Sequence, residues 1–147
     1  MTGNGIHEAL NRQLANWSVL YVKLHKYHWY VKGPHFFTLH AKFQELYEEA
    51  AARVDELAER LLAVGGRPAA TMTEYLSLAG ISERGDEGAG AEAMVASLAA
   101  DLETVAGELQ SAIAAAEEQG DEPTADLFTG ILGDVQKHLW MLRAYLG

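Results

Sequence analysis

The chain has 147 residues, no cysteine and a formal net charge of −10 at pH 7, from 21 acidic residues against 11 Lys plus Arg. That length suits a single domain spanning residues 1–147, and the absence of thiols excludes disulfides and thiolate metal sites. The acidity opposes the counterion release that drives nucleic-acid binding, so DNA is an unexpected partner and cations are the expected ones. The sequence shows neither a basic start followed by an apolar run nor an apolar stretch of about 18 residues, and it reads as a soluble, cytoplasmic protein without membrane contact.

With Ala, Leu and Glu dominant and only 3 prolines, the composition predicts helices with few breaks. Leu10, Leu14, Trp17, Leu20, Tyr21 and Leu24 recur at three- and four-residue steps, which predicts an amphipathic helix from about Gly5 to Val31, ended by Gly33-Pro34. Phe43, Leu46, Tyr47, Ala50, Val54, Leu57 and Leu61 predict a second helix to Val64, stopped by Gly65, Gly66 and Pro68. Thr71 stands three residues before Glu74 in a capping-box pattern, predicting a short helix closed by Gly80. SERGDEGAG reads as a flexible connector. Met94, Leu98, Leu102, Val105, Leu109 and Ile113 then mark a third long helix ending at Gly120. Pro123 suits the first position of a fourth, with Leu127, Ile131, Val135, Leu139 and Leu142 on its stripe.

The first and last pairs of long helices are joined tightly, whereas roughly 25 residues link the second to the third, enough for a crossover along the bundle. An all-α, ferritin-like four-helix bundle with a short extra helix in that crossover is therefore the expected architecture, with an ordinary up-down bundle as the alternative. Trp17 and Trp140 are assigned to the core, and His7 and His35 to the surface.

Ferritin-like di-iron centres usually take Glu-x-x-His pairs from two helices. Here the residues three before His25, His28, His35, His40 and His138 are Val22, His25, Lys32, Phe37 and Val135, so that intrachain site cannot form in its usual way. On the second helix, His40, Gln44, Glu48, Asp55 and Glu59 fall within an arc of roughly 100°, away from the apolar stripe. Ala51 and Ala52 leave room for close approach there. Periodicity alone also fits a plain solvated face.

His40 and Asp55 lie about 22 Å apart along a straight helix, too far to share one ion. An identical helix packed antiparallel about a two-fold axis would bring His40 of one chain to Asp55 and Glu59 of another, once at each end. Two imidazoles, from His28 and His40, with two carboxylates, from Asp55 and Glu59, mix borderline and hard donors as redox-active iron prefers; zinc is a competing metal.

The run KLHKYHWYVKGPHFFTLHAKFQELYEEAAARVDELAERL, beginning at Lys23, resembles the signature of the Dps family of miniferritins. It combines His-Trp, a Gly four residues beyond that Trp, Leu-His twelve residues after the first His, and Asp-Glu-Leu-Ala-Glu-Arg. The helix pattern and the ending KHLWMLRAYLG extend the likeness over nearly the whole chain. The resemblance implies a hollow homododecamer that oxidises ferrous iron, preferentially with hydrogen peroxide, at inter-subunit ferroxidase centres and stores the ferric mineral. By position, His28 and His40 would come from one subunit, and Asp55 and Glu59 from its neighbour.

Gln44 departs from the acid the family commonly has four residues after the second histidine, which implies a weaker second iron position. His25, one turn before His28, is either an auxiliary ligand or satisfies a neighbouring side chain. Trp29 is a candidate for quenching oxidising equivalents, with interface packing as the plainer alternative. Asp121 and Asp126, in GDEPTADLF, match acids the family places around three-fold pores; helix capping is the competing role. Gly130 stands where some members have another acid. The family's DNA binding needs a basic extension, and the segment before the first helix contains no Lys or Arg. A non-catalytic or zinc-filled helical assembly is the remaining alternative.

Overall fold

The computed structural model describes residues 2–83 and 90–147, so most of the SERGDEGAG connector lies outside the described residues. Four long helices and one short one run in order: α1 Thr2–Tyr30, α2 Phe36–Ala63, α3 Met72–Leu78, α4 Ala91–Glu118 and α5 Glu122–Leu146. No strand occurs among the described residues. Every expected helix is present, and α1 starts three residues earlier than its apolar stripe predicts.

The helix ends follow from local chemistry. Gly65 and Gly120 adopt φ of 85° and 75°, the left-handed conformation that glycine enters without a Cβ penalty. Each closes its helix in a Schellman motif: Gly65 and Gly66 donate to the carbonyls of Leu62 and Leu61, and Gly120 and Asp121 to those of Glu117 and Ala116. At α3, Thr71 Oγ1 accepts from the Glu74 amide at 3.1 Å while Glu74 Oε1 accepts from the Ala70 amide at 3.0 Å, a variant of the predicted capping box.

Three side chains of α1 define the path of the crossover. Asn11 Oδ1 accepts from the Ala69 amide at 2.8 Å, Asn16 Oδ1 from the Gly80 amide at 2.8 Å, and Lys23 Nζ donates to the Ser82 carbonyl at 3.0 Å. Successive crossover residues thus meet successively later residues of α1, climbing about 18 Å of its length. Because α2 returns antiparallel to α1, as the His7 contact with the Val64 carbonyl shows, α4 must start back at the far end and run parallel to α2. Asp101 of α4 beside Lys23, and Glu108 beside Asn16, trace that direction. This is the long-crossover topology, and it excludes the up-down alternative.

The core is continuous along the bundle, from Leu10, Leu14, Leu20 and Tyr27 to Phe43, Leu57, Leu98, Leu109, Phe128 and Ile131, all under 2% exposed. Trp17 belongs to it at 4% exposed. Trp140 does not: it is 66% exposed. The buried stripe of α5 runs through Ile131, Val135, His138, Leu139 and Leu142, and one residue past Leu139 the helix has turned about 100° towards solvent. His7 also departs from its assignment, being half-buried with Nε2 donating to the Val64 carbonyl at 3.2 Å, whereas His35 is exposed.

Candidate metal centre

His28 lies in the last turn of α1 and His40 in the first full turn of α2, twelve residues apart across the Gly33-Pro34 bend. Their rings stack at 3.7 Å between centroids and 12° between planes. Each Nδ1 contacts the other residue's carbonyl oxygen at 2.7 Å. A carbonyl only accepts, so both Nδ1 atoms carry the proton, and both Nε2 atoms keep a lone pair for a ligand. Backbone carbonyls holding Nδ1–H in this way are the usual outer support of a metal-binding imidazole. The donor set fits a metal ion on that ground.

Aromatic rings brace the pair. Phe36 stacks on His40 at 4.9 Å, and Tyr47 meets His28 edge-on at 5.3 Å. His25 stacks face to face on Tyr47 at 3.7 Å and donates Nδ1–H to the Tyr21 carbonyl at 2.7 Å, which also leaves its Nε2 free. Trp29 lies 5.3 Å from the His25 ring and is 67% exposed. His25, His28, His40 and Trp29 thus form one cluster.

Gln44, Glu48, Ala51, Ala52, Asp55 and Glu59 are all exposed along α2. Gln44 Nε2 makes a long 3.4 Å contact with Glu48 Oε2. Within the single chain, Asp55 and Glu59 do not join the histidines, as the length of a straight helix requires. The four predicted ligands are therefore two separate half-sets on one continuous face.

Asp121 is the N-cap of α5. Its carboxylate accepts from the Thr124 amide at 3.1 Å and the Thr124 hydroxyl at 2.6 Å, and pairs with Arg60 at 3.0 Å. Partial burial pushes its pKa up, but the bonds from Thr124 and the Arg60 guanidinium outweigh this and hold it below the ordinary aspartate value. Asp126, one turn on, is exposed.

A second group escaped the sequence. Donor atoms of Glu45, Glu49 and His138 lie within 4.8 Å of one another, where α5 crosses α2. His138 Nε2 is 2.9 Å from Glu49 Oε2. That hydrogen bond is the main reason the Glu49 pKa lies below its usual value, burial opposing it and the charges of Arg53 and Lys42 assisting. Arg53 extends the network to Glu56 and to Asp134 of α5.

A long-crossover four-helix bundle with paired imidazoles and a carboxylate face defines a ferritin-like protein. The ferritin-like domain family model matches residues 7–147. DNA protection during starvation protein 2 of Bacillus anthracis is 53% identical over 139 residues, covering 95% of this chain and 94% of its own. The crystal structure of a Dps protein from Bacillus brevis superposes with a TM-score of 0.97 at 48% identity, covering 99% and 97% of the two chains. A Dps protein from Vibrio cholerae O1, described as a member of a broad superfamily of ferritin-like diiron-carboxylate proteins, superposes at 0.94 with 34% identity, over 99% and 91%. The chain belongs to the Dps family of the ferritin-like superfamily. No helix among the described residues is long and apolar enough to cross a membrane.

Proposed function

We propose that the protein is a ferroxidase and iron store, assembled as a hollow homododecamer in the cytoplasm, whose centres lie between two-fold-related copies. His28 and His40 of one copy and Asp55 and Glu59 of the other hold ferrous iron as substrate. The observation that carries this reading is the reciprocal His28–His40 arrangement, which presents two Nε2 lone pairs with their tautomers already set. Only a second chain can supply carboxylates from the far end of the same helix face.

The preferred oxidant is hydrogen peroxide. One peroxide takes one electron from each of two ferrous ions and two protons, its O–O bond breaks, and two waters leave beside two ferric ions. Pairing the two electron transfers avoids the hydroxyl radical that a single transfer releases. His25 stands one turn from His28 as an auxiliary ligand, and Trp29 beside it takes up stray oxidising equivalents. Gln44 supplies a neutral, weaker donor, so one strong and one weak iron position result. Asp121 and Asp126, repeated around a three-fold entrance, concentrate ferrous ions there. Zinc competes for the same imidazoles.

Protection of DNA follows from removing ferrous iron and peroxide together. Direct DNA binding is the weaker reading, because the chain carries a net charge of −10. The test is anaerobic ferrous titration followed by a peroxide pulse. Saturable binding and peroxide-dependent oxidation that both disappear in His28→Ala/His40→Ala support the proposal. A protein that binds zinc at this site but never oxidises ferrous iron is a non-catalytic assembly and overturns it.

A further inference from the structure

The cluster around His138 is turned roughly 110° around α2 from the His40–Glu59 face and shares no residue with it. His138 is only 7% exposed, and both of its ring nitrogens are engaged. Nε2 faces Glu49 Oε2 at 2.9 Å, and Nδ1 faces Lys42 Nζ at 3.3 Å. An ammonium group can only donate, so Nδ1 is the acceptor, and the ring proton sits on Nε2 and is given to Glu49. A carboxylate on one ring nitrogen and a cation on the lone pair of the other is the arrangement that orients metal-bound histidines.

The cation now in place is the tip of Lys42. It also touches Glu45 Oε2 at 2.9 Å and Met141 Sδ at 4.0 Å, so oxygen, nitrogen and sulfur donors already converge on one positive charge. Lys42 is tethered by a flexible four-carbon stem that can swing into solvent. Beside it opens a recess of about 380 Å³, lined by Glu45, Glu49, Arg53 and His138 among others.

We propose that this cluster is a second metal site, in which a divalent first-row transition-metal ion displaces the Lys42 ammonium and binds His138 Nδ1 and Glu45 Oε2. Glu49 orients the imidazole through Nε2–H, and water completes the coordination. One imidazole nitrogen with one carboxylate oxygen suits Fe(II), Co(II) or Zn(II) over the hard ions Mg(II) and Ca(II). Lys42 acts as a tethered competitor, keeping the site charge-balanced when no metal is present.

The site is tested with Co(II), followed by calorimetry and visible absorption, in a His28→Ala/His40→Ala/Asp55→Asn/Glu59→Gln background that removes all four proposed ferroxidase ligands. Failure of the one reading then leaves the other untouched. Glu45→Gln, at a side chain 58% exposed, should weaken cobalt binding by at least about tenfold, the scale of changes seen even for groups that only support a metal ligand. Lys42→Met should strengthen it, since no ammonium remains to be displaced. Opposite signs from these two neighbours, with unchanged thermal melting, are what a metal site requires and a purely structural network does not produce. Cobalt affinity that is the same in either variant as in the parent overturns the proposal.

Discussion

The His28 imidazole donates Nδ1–H to the carbonyl of His40, and the His40 imidazole donates Nδ1–H to the carbonyl of His28, each at 2.7 Å. This exchange staples the end of α1 to the start of α2 and sets both tautomers at once. It also satisfies the carbonyl of His28 in the last turn of α1, where intrahelical partners run out.

The proposed sharing of one centre between two chains can be tested by complementation. His28→Ala/His40→Ala and Asp55→Ala/Glu59→Ala variants should each be nearly inactive alone. Reassembled together, a mixed two-fold pair has one interface lacking all four ligands and one with the complete set. Random pairing makes about half the dimers mixed, so roughly a quarter of all sites should regain ferroxidase activity. Verified hybrid assemblies with no recovered activity would sink the inter-subunit centre.

Gln44 lies exposed on the same face of α2 as His40. A carboxylate there adds a charged oxygen donor, so Gln44→Glu should raise the ferrous stoichiometry or affinity per site, read by anaerobic titration. Identical isotherms and oxidation rates would place Gln44 away from the iron.

Asp121 and Asp126 should separate by assay. Asp121→Ala removes the α5 cap and should cost about 1 kcal/mol in denaturant unfolding. Because its folded pKa lies below the 3.8 of a free aspartate, the contribution is complete above that pH and fades as pH falls through the folded value. The gap between parent and variant should therefore narrow below about pH 4. Asp126→Asn touches no cap and should leave stability unchanged while slowing iron uptake at low ionic strength. Unchanged uptake would remove Asp126 from the entrance.

Lys23 is 2% exposed and pairs with Asp101 at 2.6 Å, where the crossover rejoins α4. Asp101→Ala removes the carboxylate 2.6 Å from a buried ammonium and should cost about 3 kcal/mol or more, measured by urea unfolding at fixed protein concentration. The double replacement Lys23→Met/Asp101→Leu should cost less than the single one, since the buried ammonium is removed together with its carboxylate. Equal losses would mean the pair contributes only packing.

Most of the helix plan was legible in the chain itself, because helix ends are local: Thr71 with Glu74, Gly65, Gly120 and Pro123 act on residues within one turn. The grouping of His28 with His40 was legible for a similar reason, since only a tight bend separates them. Tertiary structure decided what depends on the rotation of one helix against another. The apolar period of α5 placed Trp140 within the stripe's reach, yet its 66% exposure follows from which side of α5 meets its neighbours. The Lys23–Asp101 pair, 78 residues apart, and the His138–Glu49 pair, 89 apart, follow from no spacing rule. The order in which Asn11, Asn16 and Lys23 hold the crossover likewise selected the bundle topology that loop length only suggested. A periodic pattern reports where a residue points about its own helix axis, whereas the partner it meets is fixed only when two axes are brought together.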